Sequence, residues 1–249
     1  MKTTREKYII NGEYTIERKL LHNEIIESFL KGQLQQEQES EAILLGGGSA
    51  AGKSSIGELV IKGYKLQKQN MIWIDPDKIK EKIPEYQDAM ESEDIESMKQ
   101  AAFLVHDESS DITMKLLKIC MKRKLNFMYD GTMKNEVKYI KLIQQLRQAD
   151  FSIKVIIVDV PIKVALERSN MRFKVTGRLV PEYIIKESHM KVAITFSKIK
   201  DLIDCYTLYD NTGKEPEVFA FKESKRVKEI IVDESRNDQF YEKSVLVFR

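Results

Sequence analysis

A glycine-rich motif in the first quarter of the chain constrains its fold more than any other feature. The residues from Gly47 to Ser54 match the pattern G-x-x-x-x-G-K-[ST], and the apolar run Ala42-Ile-Leu-Leu45 precedes them. Small residues let backbone N–H groups converge on phosphate oxygens, and a following helix directs the positive end of its dipole at the anion. The motif therefore predicts a strand, a phosphate-binding loop and a helix, in that order.

The same motif predicts which side chains meet a nucleotide. Lys53 is expected on the β- and γ-phosphates of ATP, and the Ser54 hydroxyl on Mg²⁺. A glycine turn that merely joins a strand to a helix is the alternative, but the apolar strand before the motif and the helical pattern after it favour the nucleotide site. The predicted nucleotide-binding residues are Gly47, Gly48, Ser49, Ala50, Ala51, Gly52, Lys53, Ser54 and Ser55.

Composition excludes several other classes of protein. The chain has 249 residues, 42% of them hydrophobic, which is enough to bury a full core. A net charge of +2, with 32% charged residues, gives no general attraction to nucleic acid or to a membrane surface. No signal peptide and no membrane-spanning run is recognisable, so we expect a cytoplasmic protein. The two cysteines, Cys120 and Cys205, have no metal-ligand spacing and are expected to be reduced.

Strand-like and helix-like segments alternate after the motif, which is typical of an α/β fold with a parallel sheet and flanking helices. A helical lead at 14–30 and a polar linker precede the motif, and two strands around the turn at 210–213 are expected to extend the sheet at the C-terminal end. We expect residues 1–40 to form the lead and linker, and residues 41–249 the main domain of one compact body. Strands are predicted at 71–74, 125–129 and 153–158, and helices at 101–123, 135–149, 162–172 and 181–200.

Two carboxylates, Asp75 and Asp77, directly follow the second predicted strand, at the sheet edge where ligands of α/β folds bind. Asp75 followed by Pro76 is also a frequent way to begin a helix, and this capping role is as well supported for Asp75 as a catalytic one. Asp77 lies one step further along and is the better candidate for a base that takes a proton from an acceptor hydroxyl. The alternative for Asp77 is an aspartate that only stabilises the helix dipole.

Further polar groups suggest a second substrate and a lid. Thr132 follows the third strand in Asp130-Gly-Thr132, where its hydroxyl is placed for a substrate contact, although Thr132 or Asn135 capping a helix is an equally good interpretation. Arg172 and Arg178 come after the last crossover strand and are candidates for neutralising the transferred phosphoryl group. Arg168 is ambiguous, because it fits a solvated helix face equally well.

Taken in order, these motifs resemble the zeta toxins, the phosphate-loop kinases of bacterial toxin–antitoxin systems. The resemblance runs from about Leu44 to Tyr209 and includes Val160-Pro161 and Arg178-x-x-Pro181. It implies a nucleotide-kinase-like α/β fold, an antitoxin protein as a candidate partner, and phosphorylation of the 3′-hydroxyl of the amino sugar of UDP-N-acetylglucosamine with ATP and Mg²⁺. The implied roles are phosphate and metal binding for Lys53 and Ser54, base for Asp77, substrate contact for Thr132, and phosphoryl stabilisation for Arg172 and Arg178.

The chain departs from the family where a substrate-contacting glutamate is expected before the third strand. Glu108 and Asp111, in His106-Asp-Glu-Ser-Ser-Asp111, are both candidates, and the register does not choose between them. His106 itself is better explained as a structural residue. A kinase with the same residues but another small hydroxyl acceptor, and a nucleotide switch that has no dedicated acceptor base, remain as alternatives.

Overall fold

The computed structural model describes residues 2–33, 39–92, 94–176 and 180–245. The chain forms two compact units, each built from two stretches of sequence. The helical unit comprises Met1–Gln35 and Ile72–Leu125, and the sheet unit comprises Gln36–Met71 and Asn126–Arg249. Packing thus groups the helical lead with a later stretch of sequence, and the division expected at residue 40 stays a prediction.

The helices and strands follow one another along the described residues. The strands are β1 (Ile9–Ile10), β2 (Glu13–Tyr14), β3 (Glu41–Gly47), β4 (Ile72–Ile74), β5 (Phe127–Asp130), β6 (Ser152–Asp159), β7 (Cys205–Asp210), β8 (Glu217–Lys222) and β9 (Ile230–Ile231). The helices are α1 (Thr4–Tyr8), α2 (Ile16–Leu30), α3 (Lys53–Leu66), α4 (Pro76–Lys80), α5 (Pro84–Glu91), α6 (Ile95–Leu104), α7 (His106–Arg123), α8 (Glu136–Gln148), α9 (Ile162–Thr176), α10 (Glu182–Ile199) and α11 (Glu234–Glu242). A short 3₁₀ helix, Lys243–Val245, follows α11.

In the helical unit, the N-terminal lead packs on the long helix α7. The lead starts with α1 and a two-stranded hairpin whose turn residues, Asn11 and Gly12, both have positive φ. Thr15 then caps α2 by accepting a hydrogen bond from the Arg18 N–H. The buried residues Ile25 and Ile26 lie on α2, which contacts α7 and β4.

The helix predicted at 101–123 is wrong in one respect, because the structure contains two helices there. α6 ends at Leu104, Val105 has φ −108° and ψ 5°, and α7 begins at His106. Neither proline nor glycine marks this break, and the Val105 side chain is fully buried. Tertiary packing therefore interrupts a segment whose local sequence favours one continuous helix.

The sheet unit is a P-loop kinase-like α/β fold, as the sequence predicts. Its strands lie in the order β5-β3-β6-β7-β8-β9, and β5, β3, β6 and β7 are parallel to their neighbours. β8 runs antiparallel to β7, which confirms the predicted addition of a strand after the turn. The central strands are almost entirely buried, as expected when helices cover both faces of a parallel sheet. Among the described residues, no helix is both long enough and apolar enough to cross a membrane.

Candidate active site

The phosphate loop joins β3, which lies between β5 and β6, to the N-terminus of α3. Ala50 and Gly52 in this loop have positive φ values of 61° and 89°. Gly52 is the N-cap of α3, and no side chain among the described residues caps that helix. Its first backbone N–H groups thus remain available for an anion. The strand, loop and helix follow in the order that the motif predicts.

The positive φ of Gly52 favours glycine, and the side chain of Asn211, just after β7, occupies the space beside it. A Cβ atom on Gly52 would lie 2.2 Å from the Asn211 Nδ2 atom. That nitrogen donates a hydrogen bond of 2.9 Å to the carbonyl oxygen of Ala51. The backbone N–H of Asn211 in turn donates to the carbonyl of Asp159, at 3.0 Å. The loop is therefore tied to the carboxyl ends of β6 and β7.

Two lysines bring positive charge to the loop. The Lys53 Nζ atom lies 3.4 Å from the carbonyl oxygen of Gly47, so the side chain folds back along the loop. Lys134, which follows β5, is half-buried, and both its burial and the nearby Lys53 ammonium lower its pKa. An anion between the two ammonium groups would relieve their repulsion. Lys134 is thus a second candidate phosphate ligand, which the sequence analysis did not single out.

Ser54 and Ser55 occupy the first turn of α3 and are exposed. Mg²⁺ prefers oxygen ligands, keeps several waters and commonly takes only one or two protein ligands beside substrate phosphates. An exposed hydroxyl next to the phosphate loop fits this requirement. Ser54 is therefore a suitable metal ligand, and its role stays a prediction.

A cleft of about 660 Å³ opens beside the loop, between the start of α3 and the segment after β7. Its lining includes Gly52, Ser55, Arg168 and Asn211. The Arg168 Nη2 atom donates a hydrogen bond of 2.7 Å to the Asn211 carbonyl oxygen, which holds the guanidinium at the cleft. Arg168, ambiguous in the sequence, therefore lines the cleft beside the phosphate loop, together with Asn211, which the sequence analysis did not single out.

The segment after β5 passes beside the end of β3. A Cβ atom on Gly46 would lie 2.8 Å from the Met133 sulfur. Asn135 caps α8 by accepting a hydrogen bond of 2.9 Å from the Lys138 N–H, so the capping role belongs to Asn135. Thr132 is exposed at this edge, where a substrate contact stays a prediction.

The structure describes only one of the two predicted lid arginines. Arg172 is exposed on the last turns of α9, one helical turn beyond Arg168. Arg178 lies outside the described residues. A role for either arginine in phosphoryl transfer stays a prediction.

Asp75 and Asp77 belong to the helical unit. Asp75 is the N-cap of α4 and accepts a hydrogen bond of 2.8 Å from the Asp77 N–H, with Pro76 as the first helical residue. The capping interpretation of Asp75 is thus the one that the structure supports. The Asp77 side chain is 65% exposed, and one of its carboxylate oxygens lies 2.7 Å from the Lys80 ammonium. Asp77 is accessible to a substrate hydroxyl, as a general base must be.

Glu108 is placed very differently from an exposed substrate contact. Its carboxylate is fully buried on α7, where Arg18 donates two hydrogen bonds of 2.5 and 2.7 Å. The His22 Nε2 atom lies 2.6 Å from the same carboxylate, and the Lys115 ammonium donates to His22 Nδ1 at 2.9 Å. Burial disfavours the charged form, but the hydrogen bonds from His22 and Arg18 outweigh it and lower the pKa of Glu108 to about 2.

Asp111, the other acidic candidate, lies one turn along α7. It accepts a hydrogen bond of 2.8 Å from the Tyr14 hydroxyl and forms a 3.1 Å ion pair with Arg5. Both carboxylates thus connect the N-terminal lead to α7. A substrate contact by either one would require it to exchange these partners, and that contact stays a prediction.

Comparison with protein families agrees with the site geometry. A family model described as Zeta toxin matches residues 26–224, which is most of the chain. The chain belongs to the zeta toxin family. Together with the phosphate loop, this membership makes it an ATP-dependent kinase. Among curated proteins, none matches this zeta toxin family member significantly by sequence.

Solved structures support the same fold for this zeta toxin family member. A chain from the PezAT toxin–antitoxin system of Streptococcus pneumoniae is 20% identical, with a TM-score of 0.66 over 80% of this chain and 79% of that one. A chain from the AvrRxo1-ORF1:AvrRxo1-ORF2 structure with sulphate ions is 14% identical, with a TM-score of 0.76 over 100% of this chain and 85% of that one. A related AvrRxo1 structure with ATP has a TM-score of 0.74 at 14% identity, over 100% of this chain and 84% of that one.

Proposed function

We propose that this protein transfers the γ-phosphoryl group of ATP to a hydroxyl of a sugar nucleotide, with the 3′-hydroxyl of the amino sugar of UDP-N-acetylglucosamine as the leading acceptor. The observation that carries the proposal is the uncapped helix N-terminus behind a phosphate loop with Gly52 in the left-handed region, in a chain of the zeta toxin family. The acceptor rests on the family resemblance. With this acceptor, we expect the enzyme to act in the cytoplasm.

In this proposal, the sheet unit holds ATP. The phosphates lie on the loop from Gly47 to Ser55, with Lys53 on the β- and γ-phosphates, and the nucleoside occupies the cleft beside Arg168 and Asn211. Mg²⁺, when bound at Ser54, neutralises the charge that develops on the phosphate oxygens. Lys134 adds a second ammonium near Lys53.

The acceptor side of the reaction needs a base and further cations. The hydroxyl oxygen forms a bond to the γ-phosphorus, the bond to the β–γ bridging oxygen breaks, and ADP leaves with that electron pair. Asp77 takes the hydroxyl proton, and its 65% exposed side chain allows this approach. Arg172 and Arg178 stabilise the transferring phosphoryl group, and Thr132 contacts the sugar nucleotide.

A different small hydroxyl acceptor is the second candidate, and the burial of Glu108 favours it. If Glu108 corresponds to the family's substrate-contacting glutamate, its bonds to Arg18 and His22 leave this member without that contact. A nucleoside, a sugar or an antibiotic alcohol would then take the phosphoryl group.

The experiment that decides is incubation with ATP and Mg²⁺ against nucleotide sugars, nucleosides, sugars and aminoglycosides, with mass spectrometry to detect an added phosphate. We expect phosphorylated UDP-N-acetylglucosamine with the wild type, none with Asp77→Asn, and wild-type yield with the control Asp107→Asn, an exposed aspartate of the same unit. A phosphate added to another acceptor instead would identify that compound as the substrate. ATP hydrolysis that is unchanged in Asp77→Asn, with no phosphorylated product, would indicate a nucleotide switch.

A toxin role also follows from this proposal, and the PezAT and AvrRxo1 complexes support an antitoxin-like protein partner. Expression of the wild-type chain should slow bacterial growth, and Asp77→Asn should relieve the effect at equal expression. If neither the wild type nor Asp77→Asn slowed growth, a metabolic kinase would be favoured over a toxin.

A further inference from the structure

Two consecutive residues of α10 hold the backbone of the phosphate loop at Ser49. The Ser49 N–H donates a hydrogen bond of 2.8 Å to the Ser188 hydroxyl, which itself donates to the Ile185 carbonyl at 2.7 Å. The His189 Nε2 atom lies 3.0 Å from the Ser49 carbonyl oxygen. Because a carbonyl only accepts, Nε2 must carry the proton. Both backbone polar groups of Ser49 are therefore fixed by α10.

The His189 ring also packs directly on the loop. A Cβ atom on Gly48 would lie 2.3 to 2.4 Å from three atoms of this ring, so only glycine permits the contact. The ring is 1% exposed. A histidine that merely fills a hole in the core would not need its Nε2 atom directed at the Ser49 carbonyl.

On its other side, the ring faces a buried carboxylate. The His189 Nδ1 atom lies 3.5 Å from an Asp159 oxygen, which is long for a hydrogen bond but close enough for an electrostatic contact. Asp159 is 2% exposed at the end of β6. Its burial raises its pKa, but the contacts with His189 and Lys243 outweigh this effect, and the net pKa is lowered.

The residues that neutralise Asp159 come from the C-terminal segment. The Lys243 ammonium donates to both Asp159 oxygens, at 2.7 and 2.6 Å, and to the Val160 carbonyl at 2.8 Å. Arg236 on α11 donates to Asp159 at 3.2 Å and to Asp210 at 2.7 Å. A continuous series of contacts thus runs from the C-terminal segment through Asp159 and His189 to Ser49.

We propose that His189 is a positioning residue for ATP: it fixes the Ser49 carbonyl so that the following loop N–H groups face the phosphates, and Asp159 with Lys243 and Arg236 fixes His189. The inference rests on the proposed ATP-dependent transfer. A loop that already has its binding conformation before ATP arrives loses little conformational freedom on binding, so its affinity for ATP is higher. Kd and KM for ATP should respond to His189 more than kcat does.

Three substitutions separate this role from plain core packing. His189→Phe keeps an aromatic ring but removes both ring nitrogens, including the Nε2 donor to Ser49. His189→Gln keeps an N–H that reaches the Ser49 carbonyl, whereas the shorter His189→Asn places its amide nearer Asp159. His106→Phe, at an exposed histidine of the helical unit, is the matched control.

The measurement is ATP affinity by calorimetry without acceptor, with thermal unfolding of each variant. We expect Kd to rise about tenfold in His189→Phe and His189→Asn, to stay within about threefold in His189→Gln, and to be unchanged in His106→Phe. Lys243→Met should also weaken binding, and combining it with His189→Phe should add little, since both act through one series of contacts.

The outcomes keep this inference distinct from the function. If the wild type binds ATP and folded His189→Phe binds it equally well, the positioning role is overturned while the kinase stands. If His189→Phe does not fold, His189→Gln and His189→Asn decide. Binding of ATP by both variants with the affinity of the wild type would overturn the positioning role. A wild type that fails to bind ATP would overturn the proposed function itself.

Discussion

Replacing Glu108 with glutamine tests whether the buried carboxylate is structural or a substrate contact. The substitution keeps the shape of the side chain but removes its charge, which leaves the buried Arg18 guanidinium without its closest anion. His22, fully buried beside it, loses a charged acceptor as well. Glu85 still binds Arg18, at 2.7 Å, so the guanidinium keeps one counter-charge. The loss of the closer, fully buried carboxylate is nevertheless costly.

The pKa of Glu108 sets the magnitude. Its decrease from 4.5 to about 2 corresponds to about 3.4 kcal/mol, at about 1.4 kcal/mol for each tenfold change in acidity. Because Arg18 keeps its ion pair with the partly exposed Glu85, the expected loss is smaller, about 2–3 kcal/mol. Glutamine still accepts one hydrogen bond, so we expect Glu108→Gln to lower the free energy of unfolding by about 2–3 kcal/mol at pH 7.

Because the folded-state pKa is depressed, this stabilisation is complete above the unfolded pKa of about 4.5 and is lost as pH falls through about 2. The difference between wild type and Glu108→Gln should therefore be constant near neutral pH, shrink below pH 4.5 and vanish near pH 2. Urea unfolding across this range measures the difference.

Tryptophan fluorescence should follow the unfolding. It reports on the helical unit, because the only tryptophan of the sequence, Trp73, lies on β4 in that unit. The control Asp107→Asn changes an exposed carboxylate on the same helix and should cost less than about 1 kcal/mol. An unchanged urea midpoint in Glu108→Gln, with a raised KM for the acceptor, would refute the structural role and restore Glu108 as a substrate contact.

Substitutions at three further positions probe the predicted nucleotide and lid residues. Lys53→Ala should abolish phosphoryl transfer, because it removes about 3–4 kcal/mol of transition-state stabilisation. Near-full turnover in this variant would remove the phosphate-loop assignment. Arg172→Ala should lower kcat and kcat/KM together, with KM for ATP nearly unchanged. Arg172→Lys should restore kcat only partly, because lysine lacks the planar, forked donor pattern of arginine. An unchanged kcat in Arg172→Ala would leave Arg178 as the lid candidate. Gly52→Ala should weaken ATP binding in calorimetry, because alanine is strained at a φ of 89° and its Cβ atom would displace the Asn211 amide. Wild-type affinity would show that the loop tolerates the side chain.

Local sequence was sufficient for the features that depend on neighbouring residues. The phosphate loop, the parallel strands and the strand added after the turn at 210–213 each have a signal within a dozen residues. Asn135, which shared the capping role with Thr132 in the prediction, is the cap because its own helix begins directly after it.

Contacts between distant residues have no such signal. Glu108 bonds to Arg18, 90 residues earlier, and His189 bonds to Ser49, 140 residues earlier. Neither periodicity nor a motif connects these positions in one sequence. The break at Val105 is of the same kind, since packing against distant residues interrupts a helix that its own sequence favours. Pairs of contacting residues such as these are found by covariation among related sequences, which a single sequence cannot show.

The matched family stretch, residues 26–224, contains both buried carboxylates but not four of the side chains that bond to them. Arg18 and His22 precede the stretch and bond to Glu108, while Arg236 and Lys243 follow it and bond to Asp159. A protein trimmed to the family boundaries would keep two charges in its interior and discard their counter-charges. The stretch that the family model matches is therefore shorter than the stretch that these ion pairs connect, and the flanking residues should tolerate substitution only where Glu108 and Asp159 change with them.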